Sequence, residues 1–152
     1  MDLYSLKHKL LLKCREYVDS RIATAQQAKD DAQAAANEES KSSVGDKYET
    51  TRSMMQIEGE KAAHQLAEAL KLKVILDRLS PDTRSEKVIA GSLVITDTKK
   101  ILISIGIGKL DLDGDEVLVV APMSPLGKAL MGRSVNDRVL FNNESMIILK
   151  IA

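Results

Sequence analysis

Apolar and small residues stand at Leu3, Leu6, Leu10, Cys14, Tyr17, Ile22, Ala25, Ala28, Ala32 and Ala35. Their steps are mostly three or four residues, with one of five, which is the spacing of a single helical stripe. The pattern predicts a first helix from about Leu3 to Ser40. A second, from about Asp46 to Leu79, carries Met55, Gly59, Ala62, Leu66, Ala69, Leu70 and Leu76 at similar spacing. Between them Ser42-Ser43-Val44-Gly45 is a short polar break with a glycine, so the two helices are expected to reverse into an antiparallel hairpin. A turn near Val44 sets Ala28 opposite Gly59 or Glu60, and Ala25 opposite Ala62 or Ala63. Beyond Ala23 the first stripe is almost all alanine, which lets helices approach closely and has the best helix propensity. At 1.5 Å per residue such an arm extends roughly 50 Å.

The second helix is expected to stop before Ser80-Pro81, because a residue preceding proline avoids the helical region. From Val88 the period changes to two. Gly91 to Thr96 is predicted as one strand. Lys100 to Ile107 is a second, with Ile101, Ile103, Ile105 and Ile107 on one face and Leu102, Ser104 and Gly106 on the other. Glu116 to Ala121 is a third, entered through the hairpin dipeptide Asp113-Gly114. Ser124 to Gly132 is predicted as a short helix with Ser124 as N-cap, Pro125 in the first turn and Gly132 at its end. Arg138–Phe141 and Ser145–Ile151 complete a hairpin through Asn142-Asn143. The expected fold is α+β: a coiled-coil hairpin over residues 1–80 with an acidic tip near 45–49, a linker over 81–87, and a small sheet domain of about five strands over 88–152.

Charge narrows the function. The chain has 22 basic and 22 acidic side chains. Residues 1–80 carry 13 of each and residues 81–152 carry 9 of each. A protein that binds duplex DNA by itself shows a basic face, and none is present in bulk. Cys14 is the one cysteine, so neither a disulfide framework nor a cysteine zinc site is expected. Leu10-Leu11-Leu12 is too short for a signal or membrane segment. A cytoplasmic, membrane-free monomer is the expectation.

Several side chains are chemical candidates. Asp46 and Glu49, three apart at the start of a helix, project to one side and offer two hard oxygen donors. The same pair fits a capping box and the helix dipole. Lys41, Lys47 and Arg52 cluster around the tip, either to meet nucleic-acid phosphates or as a solvated face. Tyr48 either stacks on a base or covers the turn. Asp111 to Glu116 lacks the glycine and glutamate positions of a calcium loop and is predicted as an acidic hairpin turn. His8 and His64 stand apart on helices and are expected at the surface, with Met54 and Met55 as core and flank of the hairpin.

Gly45-Asp46-Lys47-Tyr48-Glu49 resembles the Gly-Asp-x-x-Glu tip of the Gre family of bacterial transcript-cleavage factors. Gly91-Ser92-Leu93-Val94, Ser124 through Gly132 and Val135-Asn136-Asp137 are similar, in order and spacing, to that family's FKBP-like C-terminal domain. The resemblance implies a transcription elongation factor that docks on RNA polymerase and enters its secondary channel. There Asp46 and Glu49 would help hold a catalytic Mg²⁺ shared with the polymerase, none being bound stably by the factor alone. Backtracked RNA would then be cleaved near its 3′ end. By the match, Ser124 and Pro125 lie in the loop that docks on the polymerase. RNA and DNA would be met only inside the elongation complex, and the protein would stimulate the polymerase's own activity rather than be an enzyme. Thr50-Thr51-Arg52-Ser53 follows the tip where the family commonly has Asn-Ala-Glu-Tyr, and Met123 precedes Ser124 where a polar residue is usual. The alternatives are a channel-binding regulator without cleavage and a coiled-coil adaptor unrelated to transcription.

Overall fold

The structure, a computed structural model, describes residues 2–39 and 45–152, with the backbone alone for residues 39 and 45–48. Two long helices, α1 (Leu3–Glu39) and α2 (Gly45–Asp77), precede six strands and one short helix, an α+β layout. The strands are β1 (Leu93–Thr96), β2 (Lys100–Ile103), β3 (Gly108–Leu112), β4 (Asp115–Val120), β5 (Arg138–Phe141) and β6 (Glu144–Ile151); α3 (Pro125–Leu130) lies between β4 and β5. Of the predicted break Ser42–Gly45, residues 42–44 lie outside the described residues, while Gly45 belongs to α2 rather than to the break. Packing divides the chain into two compact units, Glu16–Lys73 on one hand and Met1–Arg15 with Val74–Ala152 on the other. The first fifteen residues thus group with the sheet.

In the helical unit α1 and α2 are antiparallel. Asp19 pairs with Lys73, and a Cβ placed on Gly59 would lie 3.6 Å from that of Ala32. Moving along α1 from Asp19 to Ala32 therefore moves back along α2 from Lys73 to Gly59. The expected register is corrected by this: Ala32, not Ala28, meets Gly59, and Ala28 is exposed. The displacement is about one helical turn. Alanines recur every three or four residues in α1, so the small-residue pattern fits either register equally well. The buried seam of α1 includes Val18, Ala25 and Ala32, while Tyr17 is exposed beneath Arg21. On α2 the buried or half-buried positions Met55, Gly59, Ala62, Leu66, Ala69, Leu72 and Leu76 step by four and three, the heptad rhythm of a coiled coil. Met54 is exposed.

The six-stranded sheet has the order β3-β4-β2-β1-β6-β5. All neighbours are antiparallel except β2 and β4, where Ile101, Leu102 and Ile103 lie beside Leu118, Val119 and Val120. Ile101 and Ile103 join Val94, Leu126, Leu130, Val139, Met146 and Ile148 in one apolar cluster under α3. The opposite face of β2 is equally buried. Leu102 is fully covered, and Ser104 Oγ lies 3.7 Å from Cys14 Sγ of α1. Burial raises the Cys14 thiol, and the Ser104 contact opposes the shift.

Two expectations about strands are corrected. The second strand ends at Ile103 rather than Ile107, because the chain bends over Ser104 and Ile105 after Ser104 N–H reaches the Val120 carbonyl at 2.8 Å. A further strand, β3, follows at Gly108–Leu112 and pairs with β4 across Asp113-Gly114. Both turn residues have positive φ, 53° and 87°, the geometry that an Asp-Gly hairpin supplies. Gly114 N–H donates to Asp111 Oδ1 at 3.0 Å. The last hairpin turns on Asn142 and Asn143, also at positive φ.

Residues 80–86 are fastened to the start of α1. Lys7 Nζ donates to the Thr83 carbonyl at 2.9 Å, His8 Nε2 lies 3.1 Å from Asp82 Oδ1, and the Arg84 guanidinium sits 4.0 Å from the Tyr4 ring centre. Nearer the helix end, Arg15 donates to Asp77 at 2.6 Å and to the Leu76 carbonyl at 3.2 Å. Lys7 is only 1% exposed. Its ammonium loses hydration there, which lowers its pKa; nearby Asp82 opposes this and Arg84 adds to it.

These packing details set two stability predictions. A Cβ on Gly127 would overlap the Ala121 carbonyl and lie 2.8 Å from that of Pro122, so Gly127→Ala is expected to cost about 3 kcal/mol, the upper end of overpacking. Gly59→Ala meets only ordinary contact and removes a helix-interior glycine, so a gain of about 0.5–1 kcal/mol is expected. Urea unfolding of both variants checks the opposed signs. For Lys7 the unfolded amine holds its proton up to the ordinary value of 10.5, while the folded one releases it earlier. The unfolded state binds more protons in that window, so stability rises with pH there. The stability of wild type relative to Lys7→Met should therefore increase as pH rises toward 10.5; a decrease would contradict the assignment.

Candidate functional site

The candidate residues fall in both compact units. In the helical unit, α2 starts at Gly45, which places Asp46 second and Glu49 fifth in the helix. Asp46 is thus a first-turn residue rather than the N-cap that the capping-box alternative requires. The helix starts at Gly45 and so takes Asp46 into helical backbone. Three residues of helix separate the two backbone positions by roughly 60° of rotation and about 4.5 Å of rise. Glu49 is exposed. The side chains of Asp46, Lys47 and Tyr48, and all of Lys41, lie outside the described residues. Arg52 is exposed one turn further on, on the wall of a groove between the helices.

That groove has a volume of about 280 Å³. Its floor is made by Ala32, Ala36, Gly59 and Ala63, and its rim by Lys29, Gln33, Asn37, Arg52, Gln56 and Glu60. The small side chains that let the helices approach also leave this recess. Sequence reasoning named the stripe but not the polar rim, whose members are visible only once the register is known.

Two carboxylates suffice for part of a Mg²⁺ shell, since that ion takes one or two carboxylates and keeps several waters. They do not make a cage. Among the described residues no three of His, Cys, Asp and Glu come together as a metal site.

In the sheet unit Ser124 is the N-cap of α3. Its backbone is extended (φ −66°, ψ 160°), its Oγ accepts from Gly127 N–H at 3.1 Å, and it donates to the Ala121 carbonyl at 2.7 Å. Pro125 occupies the first helical turn, where its missing N–H leaves nothing unpaired. Leu126 and Leu130 anchor the helix in the apolar cluster, and Gly127 permits the tight approach to the preceding loop. The outward residue at this corner is Met123, 75% exposed. Asn136 has φ 74°, and Asp137 Oδ2 accepts from Ser134 N–H at 2.8 Å. The Ser-Pro and Val-Asn-Asp motifs are therefore both built as structural turns.

A larger hollow, about 540 Å³, opens beside Thr96–Lys100, Lys109 and Glu116. Its three lysines each face an acid: Lys99 and Glu144 at 3.3 Å, Lys100 and Asp115 at 2.6 Å, Lys109 and Glu116 at 3.7 Å. The hollow holds no tip residue and neither Ser124 nor Pro125.

No helix among the described residues is long and apolar enough to cross a membrane. No family model matches the chain, and no curated protein matches it.

Ser124→Ala removes the Oγ bonds to Gly127 N–H and to the Ala121 carbonyl, which still accepts from Ser124 N–H at 3.1 Å, and is expected to cost about 1 kcal/mol in urea unfolding. An unchanged midpoint would mean that the cap is dispensable and that Ser124 is held for another reason.

Proposed function

We propose that this chain is a Gre-type transcription elongation factor that acts inside RNA polymerase. The observation that carries the reading is the pair Asp46 and Glu49 within the first five residues of α2, the second of two antiparallel helices. A hairpin end of two closely packed helices suits entry into a channel, and carboxylates there suit a site that another protein completes. The near-equal charge of both halves favours contact with nucleic acid only within such an assembly. In this reading the protein is a cytoplasmic partner of the polymerase and not an enzyme alone.

Asp46 and Glu49 would present oxygens to a Mg²⁺ shared with the polymerase and hold a water in line with a phosphodiester of backtracked RNA. When bound, the ion supplies a nucleophile of lowered pKa and neutralises charge on the phosphate. Glu49, exposed and five residues into the helix, is positioned by the backbone and not by side-chain neighbours on a core. Lys41, Lys47 and Arg52 would meet RNA phosphates, Tyr48 a base, and the Ser124-Pro125 corner the polymerase surface. The segment Thr50-Thr51-Arg52-Ser53 and the exposed Met123 favour, as a second reading, a channel-binding regulator without cleavage.

The test is RNA cleavage in a stalled, backtracked complex of the cognate polymerase with Mg²⁺. Asp46→Asn keeps size and helix but weakens a metal ligand, so cleavage should fall at least about tenfold while polymerase binding persists. Wild type that binds without cleaving would select the regulator. Failure to bind core polymerase would end both readings in favour of an unrelated adaptor.

A further inference from the structure

We propose that the outer edge of β3 is a self-pairing surface, through which two copies of this chain join β3 to β3, antiparallel, about a twofold axis at Leu110. β3 ends the sheet, with β4 as its one strand neighbour among the described residues. Leu112 and Asp115 flank the two-residue Asp113-Gly114 turn, so they form a hydrogen-bonded pair, and hydrogen-bonded pairs alternate along the ladder. Leu112, Leu110 and Gly108 therefore bond inward to β4. The Ile107 N–H, which also reaches the Val119 carbonyl at 3.2 Å, closes that end of the ladder on the same side. The N–H and C=O groups of Lys109 and Asp111 face outward.

Those two residues complement each other under a twofold axis. Centring the pairing on Leu110 sets Lys109 of one copy opposite Asp111 of the second, and Asp111 opposite Lys109. Each opposed pair exchanges two backbone hydrogen bonds, four in all. Lys109 and Asp111 stand on one face of the sheet, level with Leu118 and Glu116, so each cross-strand pair also brings opposite charges together. Leu110, half-buried beside Val117 on the other face, meets Leu110 of the second copy. Short strands and lysines normally guard an edge against such pairing. Here the acid two residues after the lysine converts that guard into attraction, and only for an antiparallel copy in this register. The present partners leave both side chains available: Lys109 is 78% exposed with Glu116 at 3.7 Å, and Asp111 uses one oxygen for Gly114 N–H.

The opposite edge lacks this property. By the same alternation from the Asn142-Asn143 turn, β5 directs Arg138 and Leu140 outward, and a twofold pairing there sets arginine against leucine. The joined β3 strands bury far less than a standard interface, so the association is expected to be weak, on the order of 100 μM. The inference is independent of any role with RNA polymerase.

Sedimentation velocity of the full chain from about 10 μM to 1 mM reads the outcome. Wild type should pass from one to two chain masses. Lys109→Pro removes an outward N–H but no bond to β4, so it should remain monomeric with an unchanged melting temperature. Lys109→Asp and Asp111→Lys singly oppose like charges and should weaken the dimer at least about fivefold; together they should restore it. A chain monomeric throughout, a dimer indifferent to Lys109→Pro, singles that are not rescued by the double variant, or open-ended growth joining β3 to β5 would each overturn the proposal.

Discussion

Everything in the sheet unit depends on β2 being buried on both faces. Ile101 and Ile103 need cover on one side, Leu102 and Ser104 on the other. The first cover is α3, which is why a six-residue helix carries two core leucines, an N-cap serine and a glycine with no room for a Cβ. Cys14, near the base of α1, lies against the second face at Ser104. A pattern of alternating residues suggests one wet face. Along β2 only Lys100, at its start, keeps a partly exposed side chain, and the demand for a second cover explains why residues 1–15 group with the sheet rather than with the rest of the helices.

The same demand orders the residues between α2 and β1. A run such as Ser-Pro-Asp-Thr-Arg-Ser-Glu is polar enough to pass as an untethered connector. Here it is tied to α1 by Tyr4, Lys7 and His8 through three chemically different contacts. The ammonium of Lys7 stays buried because the Thr83 carbonyl accepts from it and Asp82 lies near, which offsets part of its lost hydration.

Much of this was legible beforehand, for physical reasons that also account for the misses. Long amphipathic helices announce themselves: the expected Leu3–Ser40 and Asp46–Leu79 compare with Leu3–Glu39 and Gly45–Asp77. Their register was not legible, because Ala28 and Ala32 offer the same small surface to Gly59. β3 was missed because Gly108-Lys109-Leu110-Asp111-Leu112 has the mixed composition of an edge. The isoleucine alternation through Ile107 overran the true end of β2 because periodicity carries no signal for where a chain must leave its sheet. At the candidate site, the spacing of Asp46 and Glu49 was readable at once. The recess floored by Ala32 and Gly59 needed the helix pairing, and the roles of Ser124, Pro125 and Asp137 as turn builders needed their hydrogen bonds.

The closure of β2 by Cys14 also fixes an order of events during synthesis. Ser104 emerges from the ribosome ninety residues after Cys14, and Thr83 seventy-six after Lys7. Contacts this remote in sequence form late, because a long loop must close before they contribute. The pairing of α1 with α2 involves nearer segments and is available earlier. Lys7 must therefore wait for Thr83, and Cys14 until β2 has been made, with four further strands still to come.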